Sequence, residues 1–123
     1  MKKIVVIDDE DSICNMLKKF LEKKGYRTFT ATSVAAGIKI IKEERPHITL
    51  LDIRMPEKNG VEALKEIKEI DSEIGVIMIT AVKEEGTAKK CMELGAYDYI
   101  TKPFELEYLD EALLMKILDF ETK

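Results

Sequence analysis

The sequence predicts an α/β fold, a mostly parallel sheet covered by helices on both faces, and three observations predict it. Short β-branched runs alternate five times with stretches of helical period along the 123 residues. The third run, Ile48–Asp52 (ITLLD), is apolar on both of its faces, as in strands covered from both sides. Glycine or proline stands at several of the boundaries, at Gly25, Pro46, Gly95 and Pro103.

The elements follow in order. Lys3–Ile7 (KIVVI) is the first strand. Ile13, Met16, Leu17, Phe20 and Leu21 then recur at the spacing of one helix face. Asp11 or Ser12 can cap that helix, and Gly25 ends it. Tyr26–Ala31 is the second strand. Ser33 opens a second helix that runs to about Arg45, where Pro46 stops it. After Ile48–Asp52 comes a loop with Pro56, Asn59 and Gly60, then a third helix marked by Val61, Leu64 and Ile67. Val76–Thr80 (VIMIT) is the fourth strand. Ala88, Cys91 and Met92 mark a helix closed by Gly95, and Tyr97–Ile100 is a short fifth strand. Leu109, Leu113 and Ile117 mark the last helix, with Phe120 near its end. Right-handed crossovers leave few topologies for such a chain. No linker interrupts the alternation, so residues 1–123 are expected to form one domain.

Composition narrows the function. Apolar residues make up 46% and charged residues 36%, which fits a globular domain and not a disordered one. A net charge of -4 argues against direct nucleic-acid binding, which requires a basic face. The N-terminal apolar run is too short for a signal peptide or a membrane span, so a cytoplasmic location without membrane contact is expected. Cys14 and Cys91 lack metal-ligand spacing and read as reduced thiols.

In open parallel sheets, ligands bind at the carboxyl ends of the strands. Those ends hold Asp8 and Asp9, followed by Glu10 and Asp11, then Asp52, Thr80 and Lys102. Carboxylates gathered in one small site raise each other's pKa unless a counter-charge is present. A Mg2+ ion suits such oxygen ligands. Lys102 adds a second cation and Thr80 a hydroxyl donor, while a free carboxylate can act as a nucleophile. Phosphoryl transfer needs mainly positioning and charge stabilisation, and this set offers both.

The runs IVVIDDE (4–10) and LLDIRMP (50–56), with Gly60, Ile79-Thr80-Ala81 and GAYDYITKPF (95–104), resemble a response-regulator receiver domain. The resemblance covers essentially the whole chain. It implies a flavodoxin-like, doubly wound sheet of order 2-1-3-4-5 flanked by five helices. It makes Asp52 the phosphoacceptor, a stoichiometric one and not an enzyme with turnover on a metabolite. Asp9 and Asp52 are the implied direct Mg2+ ligands, with the backbone carbonyl of Arg54 as third and Asp8 acting through water; Mn2+ could substitute. Thr80 resembles the hydroxyl that closes on the phosphoryl group, Lys102 the lysine that pairs with it, and Tyr99 the aromatic switch that turns inward when Thr80 moves. The Lys102-Pro103 bond is expected to be cis.

The implied donor is a sensor histidine kinase or a histidine phosphotransferase. The readout is a changed surface on the fourth helix, fifth strand and fifth helix, in a monomer or a weak dimer formed through that face. Arg54 and Val82 stand at the two positions that set the lifetime of the phosphorylated state, and slow self-dephosphorylation is expected from them. The spacing is similar to the single-domain receivers of sporulation phosphorelays, and the last helix runs almost to Lys123.

Two other readings share parts of this pattern. A haloacid-dehalogenase-like phosphatase requires a second aspartate two residues after the nucleophile, where Arg54 stands. A flavodoxin-like flavin carrier requires a Ser/Thr/Gly-rich loop after the first strand, and the Asp8–Asp11 run would repel a flavin phosphate. His47, the only histidine, precedes the third strand and so lies about 15 Å from Asp52 at the other sheet edge, where a surface role is expected. The runs Lys65–Glu69 and Lys83–Glu85 read as solvated helix faces.

Overall fold

The computed structural model describes residues 2–121. The elements are β1 (Lys3–Ile7), α1 (Asp11–Lys23), β2 (Arg27–Ala31), α2 (Val34–Glu44), β3 (Ile48–Leu51), α3 (Gly60–Ile70), β4 (Gly75–Thr80), α4 (Glu85–Glu93), β5 (Asp98–Thr101) and α5 (Leu106–Glu121). All strand pairs are parallel, and the order is β2-β1-β3-β4-β5. This is the flavodoxin-like arrangement expected from the resemblance.

The central strands β1, β3 and β4 are mostly apolar because each face of the sheet has its own core. On one face, Val5, Ile7, Leu51, Val76 and Met78 pack with Ile38 and Ile41 of α2, Leu64 and Ile67 of α3, and Cys91 of α4. On the other, Ile4, Val6, Leu50, Ile77 and Ile79 pack with Cys14, Leu17 and Leu21 of α1 and Leu109 and Leu113 of α5. The two cysteines lie in opposite layers, buried and free, so they cannot pair with each other.

Local chemistry sets most helix ends. The Ser33 hydroxyl accepts the Ala36 N–H and caps α2, and the Asn59 side chain accepts the Val61 N–H and caps α3. Gly25 and Gly95 follow α1 and α4 with φ of 93° and 100°, a left-handed conformation that favours glycine. α2 ends differently. Arg45 takes φ 47°, and its guanidinium donates to the Ile70 carbonyl at 3.1 Å.

Several details depart from the sequence reading. α1 has Glu10 at its N-cap with no side-chain cap, so neither Asp11 nor Ser12 fills that place. Met16 and Met92 are 39% and 45% exposed, because Cys14, Leu17 and Leu21, and Cys91 alone in α4, occupy the inward positions. β3 stops at Leu51, which leaves Asp52 just beyond the ladder. β2, β4 and β5 begin at Arg27, Gly75 and Asp98. His47 is half-buried, and beyond a surface role its Nδ1 accepts the Lys3 N–H at 3.1 Å. Lys83 and Glu84 are exposed but precede α4, and Lys68 folds back to donate to the carbonyls of Ser72 and Ile74. Among the described residues, no helix is long and apolar enough to cross a membrane.

Candidate functional site

The sheet register builds the site. Ile7 of β1 pairs with Leu51 of β3, so the next residues, Asp8 and Asp52, leave the sheet side by side. Their amides still donate to the ladder, Asp8 N–H to Ala31 and Asp52 N–H to Ile7, at 3.1 and 3.0 Å. Thr80 pairs with Thr101, and the following Lys102 donates its N–H to the Thr80 carbonyl at 2.8 Å. β5 lies two strands away from β3, roughly 9–10 Å at the usual strand spacing, which only a long side chain spans.

Lys102 spans it. Its ammonium lies 2.8 Å from Asp8 Oδ2, 2.9 Å from Asp52 Oδ2 and 3.8 Å from Glu10 Oε1. Asp8, Asp52 and Thr80 are buried, with Asp52 only 5% exposed. Burial pushes the Asp8 carboxyl above its ordinary 3.8, against the hydrogen bonds from Lys102 and the Glu10 N–H. Burial also opposes the charge on Lys102, but its bonds to Asp8 and Asp52 outweigh this and hold it above 10.5. The Lys102-Pro103 bond is cis.

The second oxygen of each buried carboxylate is held by backbone. Asp52 Oδ1 accepts the Arg54 N–H at 3.2 Å, and Asp8 Oδ1 accepts the Glu10 N–H at 3.0 Å. Arg54 is exposed and, with Asp9 and Met55, lines a cleft of about 510 Å³ in the loop after β3. Carboxylate oxygens of Asp8, Asp9 and Glu10 that could hold a metal ion lie within 4.8 Å of one another. Asp52 is not in that group; like Asp8, it is paired with Lys102. The donors are all hard oxygens and the local charge is negative, so the set fits a small divalent cation.

Thr80 and Tyr99 meet through one residue. The Thr80 hydroxyl accepts the Val82 N–H at 3.3 Å, and the Tyr99 hydroxyl donates to the Val82 carbonyl at 2.7 Å. The Tyr99 ring is half-buried and packs against the core.

Three contributions were not visible in the sequence reading. Glu10 faces Lys102, though it read only as a continuation of the acidic run. The Cys14 thiol donates to the Asp8 carbonyl at 3.3 Å and so supports the site from below. Gly60 read as a turn residue, but its N–H donates to Ile53 at 2.8 Å and its α-carbon lies against the Asp52 backbone.

Comparison with known proteins adds a separate line of evidence. The family model described as "Response regulator receiver domain" matches residues 4–114. Sporulation initiation phosphotransferase F of Bacillus subtilis (strain 168) is 37% identical over 112 residues, which are 91% of this chain and 90% of that relative. Regulatory protein AtoC of Escherichia coli (strain K12) is 36% identical over 110 residues, 89% of this chain but 24% of that much longer relative. The crystal structure of a CheY-like response regulator receiver domain protein from Methanospirillum hungatei JF-1 superposes with a TM-score of 0.96 at 28% identity, covering 99% of this chain and 98% of the other.

Proposed function

The chain belongs to the response-regulator receiver family of two-component and phosphorelay signalling, and on that premise we propose that Asp52 is its phosphoacceptor. The observation that carries this reading is the Asp52–Lys102 pair, a buried carboxylate held 2.9 Å from an ammonium at the open end of the sheet. In the transfer, one Asp52 oxygen attacks phosphorus and the P–N bond of a donor phosphohistidine breaks. Its electron pair returns to the imidazole, and an acyl phosphate remains on Asp52.

Asp9, Asp52 and the Arg54 carbonyl would hold Mg2+ directly, and Asp8 through water; Mn2+ fits the same oxygens. Bound there, the ion supplies positive charge for the phosphoryl oxygens. Lys102 supplies a second positive charge from β5, and the Thr80 hydroxyl donates to a phosphoryl oxygen after leaving the Val82 N–H. Val82 carries that change to Tyr99, because its two backbone groups hold both side chains. The resulting shift favours one of two existing states of the α4-β5-α5 face. That face has surface for a partner or for a weak dimer: Tyr108 and Met115 of α5 are 53% and 59% exposed.

The donor is a sensor histidine kinase or a histidine phosphotransferase. The protein acts in the cytoplasm as a stoichiometric acceptor, with self-phosphorylation and self-dephosphorylation as its only chemistry. Self-dephosphorylation is slow, because exposed Arg54 screens the acyl phosphate and buried Val82 offers no polar group to guide water. Intact mass after incubation with acetyl phosphate and Mg2+ tests this function. A gain of about 80 Da is expected, absent without Mg2+ and absent in Asp52→Ala. No gain under any condition overturns the proposal.

A further inference from the structure

The edge of the sheet opposite Asp52 carries a second organised cluster that the signalling chemistry does not use. His47 sits just before β3, and its backbone ties into both neighbours: its N–H donates to the Lys3 carbonyl at 2.9 Å, and its carbonyl accepts the Gly75 N–H at 3.0 Å. Its side chain turns back to β1, where Nδ1 accepts the Lys3 N–H at 3.1 Å. A nitrogen that accepts carries no proton, so the ring is neutral and protonated at Nε2.

The same ring meets Phe120 in the last turn of α5, edge to face, with centroids 6.0 Å apart. Phe120 is also flanked by two cations, the ammonium of Lys116 at 4.7 Å and that of Lys2 at 6.0 Å from its centre. Lys116 is buried, its stem lies against Gly75, and its ammonium also faces the Tyr97 ring at 5.1 Å. The side-chain ammonium groups acting on His47 are those of Lys2, just before β1, and Lys3 of β1, which pairs with Glu44 of α2 at 3.2 Å; Lys116 of α5, paired to Asp119 at 3.4 Å, lies over the Phe120 ring. Every ammonium near the imidazole resists a further positive charge there. Burial and then Lys2 and Lys3 hold the imidazole below its ordinary 6.5.

We propose that His47 is a proton-operated latch that, while neutral, joins the start of β1 to the last turn of α5 and, once protonated, releases both. A proton from solvent would add at Nδ1, and the Lys3 N–H···Nδ1 bond would be replaced by two donors facing each other. The ring must then leave, and Phe120 loses the neighbour that seats it. Phe120 then keeps its packing against the core and the Lys116 and Lys2 contacts but loses the imidazole, so mild acid loosens the end of α5. The latch requires no phosphoryl chemistry and stands apart from the function of Asp52.

NMR titration of the full chain between pH 8 and pH 5 tests it. As the only histidine, His47 gives an unambiguous signal. The expected result is one midpoint below 6.5 shared by the His47 ring, the Lys3 amide and the Phe120 ring, with Lys3 amide protection falling roughly fivefold or more, the loss of one hydrogen bond. In His47→Gln the shared transition disappears. In Phe120→Leu, which serves if the glutamine variant does not fold, the His47 and Lys3 signals still titrate together while the end of α5 no longer follows them. A transition of His47 that leaves Lys3 and Phe120 unmoved overturns the latch, as does a shared transition that persists in His47→Gln.

Discussion

Gly60 packs directly on the backbone of Asp52: a β-carbon added there would overlap the Asp52 carbonyl oxygen and lie 2.5 Å from the Ile53 α-carbon. Backbone cannot yield as a flexible side chain can, so the loop after β3 and the first turn of α3 are fixed against each other. Gly60→Ala is expected to lower stability by about 1–3 kcal/mol, as overpacking does, and to slow phosphorylation at Asp52 by displacing the loop. Urea unfolding with acetyl phosphate labelling measures both. Unchanged labelling in a destabilised protein would show that the loop position does not matter to the acceptor.

Asp8 stabilises the fold more as a neutral group than as a carboxylate. Its carboxyl is raised above 3.8 by burial, so between 3.8 and that raised value the folded state binds more protons than the unfolded one. Stability from this group is present below 3.8 and is lost as pH rises through the raised value. Asp8→Asn, which leaves Lys102 its bond to Asp52, is expected to be more stable than the parent at pH 7 in EDTA. The gap closes towards pH 4. Denaturation at both pH values measures it, and a gap that widens in acid contradicts the assignment.

Thr49 lies in the middle of β3 with a fully buried hydroxyl that has no hydrogen-bond partner among the described residues. A lone buried hydroxyl costs about 1–3 kcal/mol. Thr49→Val removes it at nearly constant shape between Val5 and Val76, its neighbours in the register. The urea midpoint is expected to rise by the equivalent of about 1 kcal/mol with an unchanged slope. A lower midpoint would mean that the hydroxyl is satisfied.

Much of this architecture was legible in the chain. The apolar strands and the helix faces placed Asp8, Asp52, Thr80 and Lys102 at one edge because parallel pairing forces their strand ends together. The strand order came from the family resemblance, since alternation alone does not fix it. What stayed hidden depends on approach distances. Gly60 reads like any loop glycine until the Asp52 backbone lies beside it. Arg45 gives no turn signal, since a left-handed arginine is uncommon. Tyr99 and Val82 are linked through a backbone carbonyl, which no side-chain pattern reports. His47 read as a surface residue because its acceptor role requires the Lys3 N–H, 44 residues away.

Divalent cation binding is expected to stabilise the folded protein through Asp9 and Asp52. At a Mg2+ concentration 100 times the dissociation constant, the gain is about 2.7 kcal/mol. Thermal unfolding with Mg2+ and with EDTA reads this gain directly. Asp9→Asn is expected to lose most of the Mg2+ effect while keeping its midpoint in EDTA. An equal Mg2+ effect in Asp9→Asn would move the ion away from this residue.

The most direct measurement asks where the phosphoryl group sits. After phosphorylation with acetyl phosphate and Mg2+, borohydride reduces an acyl phosphate to the alcohol, so the modified aspartate becomes homoserine. Peptide sequencing by mass is expected to find homoserine at position 52 and aspartate at positions 8 and 9. Homoserine at position 8 or 9, or none at all in a protein that folds and binds Mg2+, would contradict the assignment of Asp52 as the acceptor.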